Sequence, residues 1–209
     1  MPTKTSIYND VLNIVGSTVF ISNADTDTSP KTLAMNAAYD LCRREVLRAH
    51  DWAFAETRVD LVLVGTNETE YGYQYAYPNK CIRARELQKD IRRSKPIPFK
   101  VARYSDEDNG EMRVVLTDQE NARLIYTYDV EDLAMFDDLA GQALAGLIAF
   151  RCSKAITTDK NAGTVAWNYF RSAISEARAA DGNERVEDDP VDCDWIVARS
   201  GVSDNNQRF

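Results

Sequence analysis

The chain has 209 residues and a formal net charge of −8, with a pI near 4.8. That length builds one good core, or one core plus a smaller lobe, and the 44% hydrophobic and 28% charged fractions are those of a soluble globular protein. The acidic balance argues against a protein that grips phosphates, because a basic footprint supplies most non-specific nucleic-acid affinity; it does not exclude a surface past which DNA slides without sticking.

No apolar run approaches membrane-spanning length, and the N-terminus lacks the charged stretch, apolar core and cleavage site of a secretory leader. Cys42, Cys81, Cys152 and Cys193 are far apart and form no CxxC pair, and His50 is the lone histidine. These read as reduced thiols, with neither a metal nor a cofactor expected.

In chain order, Ile7 to Val15 reads as a short helix, with Ser6 placed to cap it and Gly16 to stop it. A connector rich in turn formers leads to Ser29 and Pro30, which suit the cap and first position of a long helix running to about Ala49. Its apolar stripe is Met35, Ala38, Tyr39, Cys42, Val46 and Ala49, widened by Ala34, Ala37 and Leu41, while Asp40, Arg43, Arg44 and Arg48 lie off it. Trp52 and Phe54 follow, and they read as core anchors plugging the seam between helix and sheet.

The period then changes from helical to alternating. Glu56 to Val64 reads as one half-buried strand and the segment from Gly65 to Glu70 as a turn. Tyr71, Tyr73, Tyr75 and Tyr77 alternate, so they share one face of an extended segment that is either core or interface. Further strands are expected at Cys81 to Leu87, Phe99 to Tyr104, Met112 to Leu116 and Ala122 to Tyr128, with a hairpin connection from Asp106 to Gly110.

After Glu131 the signal is helical again. Phe136, Leu139, Ala140, Ala143, Leu144, Leu147, Ile148 and Cys152 make a broad apolar face, with small residues such as Gly141, Ala145 and Gly146 permitting close helix approach. Asp159 is placed to cap a second helix whose inner face is read as Val165, Tyr169, Ser172, Ala173 and Ala180. The expected class is α+β: a helical bundle from N- and C-terminal helices with an inserted antiparallel β-rich module. The divisions fall at 1–55 and 132–180 for the helical lobe, 56–131 for the β-rich module, and 181–209 for an extended acidic arm in which Trp195 suggests docking.

A glycine-stopped first helix, the helix carrying Tyr39, Asp40, Arg43, Arg44 and Leu47, and the Trp52, Phe54, Ala55 corner with its following strand occur in a telling order. Tyr75, Tyr77 and Pro78 come next, then an alanine-rich helix after Phe136-Asp137 and a second long helix. Over roughly Ile7 to Ala180 this order resembles the tail tubular protein A family of short-tailed phages, the head-to-tail adaptors beneath the portal.

The resemblance implies a virion structural protein of the viral tail, assembled in the host cytoplasm into a homo-oligomeric, dodecameric ring. Its implied partners are the portal protein above and a tail nozzle protein below, a tail fibre being a further candidate. The genome would pass through the ring during ejection without specific binding. No catalytic residue comes with the family.

Three further readings of the residues stand beside it. Arg83, Arg85, Lys89, Arg92, Arg93, Lys95, Lys100 and Arg103 gather in an otherwise acidic chain. They suit a subunit or partner surface facing acids such as Glu184, Glu187, Asp188, Asp189, Asp192 and Asp194, a solvated face, or DNA contact, in that order. Thus Tyr71, Tyr73, Tyr75, Tyr77, Arg83, Arg85, Arg92, Arg93 and Trp195 are the interface candidates. The rival functions are a non-ring tail-completion or fibre-docking module, and a polysaccharide hydrolase using acids among Asp106, Glu107, Asp108, Asp137 and Asp138. The absence of a serine elbow, phosphate loop or metal-ligand pair in the sequence argues against an enzyme.

Overall fold

A computed structural model describes residues 1–66, 71–88, 97–106 and 110–184. Among them the fold is α+β, with four helices and two antiparallel sheets. Helix α1 spans Lys4–Ile14, α2 Pro30–Ala49, α3 Asp138–Ile156 and α4 Ala162–Glu184.

Helix α1 starts three residues before the expected point. Thr3 is the cap, and Ser6 closes a capping box with it: Ser6 N donates to Thr3 Oγ1 at 3.1 Å and Thr3 N to Ser6 Oγ at 2.9 Å. Gly16 stops the helix as expected. Its φ of 76° lets Ser17 N reach Leu12 O at 2.8 Å, satisfying carbonyls that would otherwise be orphaned. The polar connector is strapped back onto α1, since Asn9 both accepts from Ile21 N and donates to Ile21 O, at 2.8 and 3.0 Å. Ser29 and Pro30 open α2 as expected, and it ends at Ala49.

Helix α3 is central and packs on α1, α2 and α4. Its approach to α4 requires a missing side chain, because a Cβ at Gly146 would stand 3.0 Å from Phe170 Cα. The face of α4 agrees with the expected one at Ala173 and differs elsewhere. Ala162, Ala166, Ala173, Ile174 and Ala177 turn inward while Val165 and Tyr169 are exposed. Alanines take most of the inward positions, where the backbones approach closely, and the Tyr169 ring rests against Gly146 at the edge of the contact. The helix also continues past Ala180 to Glu184, with Asp181 buried, so residues 181–184 belong to the helical lobe instead of an arm.

The β-rich module has seven strands among the described residues: β1 Glu56–Asp60, β2 Leu63–Thr66, β3 Tyr73–Ala76, β4 Cys81–Gln88, β5 Lys100–Asp106, β6 Gly110–Thr117 and β7 Arg123–Tyr128. One sheet has the order β1-β7-β4 and the other β2-β3-β6-β5. Tyr75 and Val115 of one meet Leu87, Leu124 and Tyr126 of the other in a small core of their own.

The single strand expected from Glu56 to Val64 is therefore two. The chain leaves the first sheet at Asp60, crosses at Leu61 and Val62, and enters the second as β2. Gly65 and Thr66 are in that strand, not in a turn, and a bulge falls between Leu63 and Gly65. Val59 and Leu61 pack on the small core, whereas Leu63, expected on the same buried face, is 52% exposed in β2; the sequence alternation runs on through the crossing and carries no mark of it.

Candidate functional site

Three polar stations gather around the C-terminal half of α2 and the turn that follows it. At the first, Arg43 is 2% exposed although it lies off the expected stripe. It donates to Asp129 Oδ1 and, at 2.6 Å, to Val130 O, while Arg44 Nε donates to Asp129 Oδ2 at 3.0 Å. Asp129 N donates to Lys80 O at 2.8 Å, which fixes the carboxylate just past the end of β7. A buried guanidinium is tolerable only with such a carboxylate and carbonyl around it.

The second station belongs to β4. Its bulge between Ala84 and Glu86 sets Ala84 opposite Tyr126 and Leu87 opposite Leu124. Arg85 is released towards the helices and is 7% exposed. Its guanidinium reaches Trp52 O at 2.8 Å, Thr127 Oγ1 at 2.9 Å, Asp51 at 3.1 Å and Glu56 at 3.3 Å. Arg83 clasps both carboxylate oxygens of Asp51 at 2.6 Å. Trp52 itself is fully buried and donates Nε1–H to Val46 O at 2.8 Å. Phe54 stacks on it at 5.7 Å and meets Phe136 at 5.0 Å.

At the third, the buried carboxylate of Asp181 accepts from Ala53 N at 2.7 Å and lies 3.1 Å from His50 Nε2. Arg178 donates to Ala49 O at 2.9 Å one turn earlier.

The interface candidates separate on this geometry. Tyr73, Tyr75 and Tyr77 pack on the small core, as one shared face requires. Tyr75 is 3% exposed and donates to Gln119 O, so it is a core residue and no contact surface. Burial pushes the Tyr77 hydroxyl up to about 12, and its ring lies 4.0 Å under the Arg113 guanidinium. Tyr71 is half-buried. Arg85 and Arg83 are engaged inside the joint, Arg85 too deeply to meet another chain.

Lys100 and Arg103 lie on β5 of the other sheet, Arg103 paired with Glu111, so among the described residues they are on a different sheet from Arg83 and Arg85. Lys89, Arg92, Arg93, Lys95, Trp195 and the acids from Glu187 to Asp194 lie outside the described residues.

Of the candidate acids, Asp137 is the N-cap of α3, accepting from Leu139 N and Ala140 N at 3.0 and 3.3 Å, and Asp138 meets the N-terminal amine at 3.6 Å. Glu107, Asp108 and the Asp106 side chain lie outside the described residues. Burial raises the thiols of Cys42, Cys81 and Cys152 away from thiolate. Among the described residues no cluster of three His, Cys, Asp or Glu could hold a metal, and no helix is long and apolar enough to cross a membrane.

The stations escaped sequence reasoning because each joins residues far apart in the chain. One signal was available. Arg43 lies three and four residues before Val46 and Leu47, so a stripe widened on that side includes it. No family model matches the chain, and no curated protein matches it.

Proposed function

We propose that the chain is a virion structural protein: a head-to-tail adaptor that joins the portal to the tail nozzle and forms part of the DNA ejection channel as a homo-oligomeric, dodecameric ring. The observation that supports this most is where the residues carrying the resemblance sit. Arg43, Arg44, Trp52 and Phe54 all stand in or against the joint between the lobes, where they fix orientation. A link in a stacked collar needs such rigidity more than it needs a cleft.

The function is mechanical and electrostatic, with no enzymatic step and no cofactor. Each copy would present two different surfaces to its neighbours, so that rotation closes the ring. The net charge of −8 suits a passage that repels the DNA backbone, since every phosphate contact would act as a brake.

Light scattering on the chain alone and with portal protein tests the reading, together with a cryo-EM map of the particle neck. A ring seated on the portal is expected. A stable monomeric complex on fibre or tail tip would favour the non-ring module instead. Reducing-sugar release abolished by Asp137→Ala or Asp138→Ala would replace it with a hydrolase.

A further inference from the structure

Helix α4 carries two aromatic flanks of opposite charge. Trp167 and Tyr169 are two residues apart, about 200° around the helix axis, so they leave α4 on opposite sides of the inward row of Ala166, Ala173 and Ala177. On the first flank Phe150 of α3 meets Trp167 at 5.0 Å, and Trp167 meets Phe170 at 5.4 Å. Phe150 and Trp167 are nonetheless 40% and 39% exposed. Lys154 follows Phe150 by one helical turn and Arg171 follows Trp167 by one turn, so both cations border the rings. Neither has an ion pair among the described residues, whereas the neighbouring Arg151 is held by Glu45.

The second flank is acidic. Val165 and Tyr169, one turn apart, are exposed there. Burial raises the Tyr169 hydroxyl above its ordinary value, and the carboxylates of Asp10 on α1 and Glu176 on α4 push it the same way, so both lie within electrostatic reach of the ring. Glu176 accepts from Ser172 Oγ at 3.1 Å, and neither acid has a cation partner among the described residues. A phenol between two carboxylates thus stands back to back with an indole between two cations.

We propose that these flanks are subunit faces, the Phe150 and Trp167 flank of one copy docking on the Val165 and Tyr169 flank of the next. The occupant is a second copy because one chain carries both halves of the match in charge. Exposed rings supply the anchors of such a contact, and the charges beside them set its register. Unlike patches meet, so the contact is heterologous and runs from copy to copy in one direction, as a closed ring requires. The inference rests on the ring reading and names the faces through which that ring closes.

The test mixes unlabelled and isotope-labelled full chain and treats it with a water-soluble carbodiimide, which joins a carboxylate to an amine at contact distance. The expected product, mapped by mass spectrometry, is a mixed-isotope link from Lys154 to Asp10 or Glu176. Arg171→Glu should cut its yield about tenfold, since like charges then face each other across the contact. Mixing that variant with Glu176→Arg chain should restore the link, now from Lys154 of the first to Asp10 of the second. Chain of unchanged circular dichroism that gives no mixed-isotope link at these residues overturns the proposal, as does a yield indifferent to Arg171→Glu. A neck map in which the ring closes through other faces overturns this inference and leaves the ring reading standing. The link in solution with no ring in the particle keeps the pairing and removes the ring reading.

Discussion

The helical lobe buries its apolar residues against small ones, whereas the β module closes its core with tyrosines. In the first, Ala143, Ala149 and Ala166 let α3 sink between its neighbours, and Gly146 admits the Phe170 backbone. In the second, Tyr75 and Tyr126 join Leu87, Val115, Ala122 and Leu124, with Tyr73 and Tyr77 at the margin. The helical core is much the larger; two polar stations lash the sandwich to it, and the third holds α4 to the turn that leads into β1. The difference teaches that the small module borrows its fixed orientation, and part of its stability, from the helical one.

The sharpest way to break that contrast is Trp52→Ala. It removes a fully buried ring and its bond to Val46 O, and chemical denaturation should show a loss of about 3–5 kcal/mol. Asp129→Ala should follow at about 3 kcal/mol, because it strands the Arg43 guanidinium without its counter-charge. Hydrogen exchange decides what the joint does: loss of protection throughout β4 and β7 is expected, and loss confined to residues 129–130 would mean that the sandwich stands alone.

Leu87→Ala should cost about 2–4 kcal/mol, with faster exchange in the sandwich and little change in α3. Gly146→Ala should cost about 1–3 kcal/mol through the helical lobe alone, as α3 and α4 are forced apart.

The smallest effect is one of pH. Burial pushes the Cys42 thiol from its ordinary 9.0 up to about 12, with Arg151 acting in the opposite direction. A raised folded value stabilises fully below the unfolded one and is lost as pH rises towards the folded one. Stability should therefore decline between pH 9 and about 12, and Cys42→Ala, allowing for its own lower baseline, should decline less.

What could be read in advance follows from where information sits in a chain. Ser29 with Pro30 and Gly16 with Ser17 are local devices, so the α2 start and the α1 stop were legible. The step from β1 to β2 was not, because Leu61 and Leu63 keep alternating through the change of sheet. The face of α4 was misjudged for a different reason. Hydrophobicity favours Val165 inside, but it is 54% exposed while alanines face α3, and the Tyr169 ring lies against Gly146 at the margin of that contact. The joint was hidden most deeply, since Arg43 and Asp129 look like surface charges until the fold brings them together.

The anchorage of Asp181 on Ala53 has a mechanical corollary. Tension applied at the C-terminal end of α4 would not unravel that helix from a frayed tip. It would be transmitted through the carboxylate to the tight turn beside Trp52, and from there across Arg85 into the sheet. Whatever tugs on that terminus therefore pulls against the whole body of the protein at once.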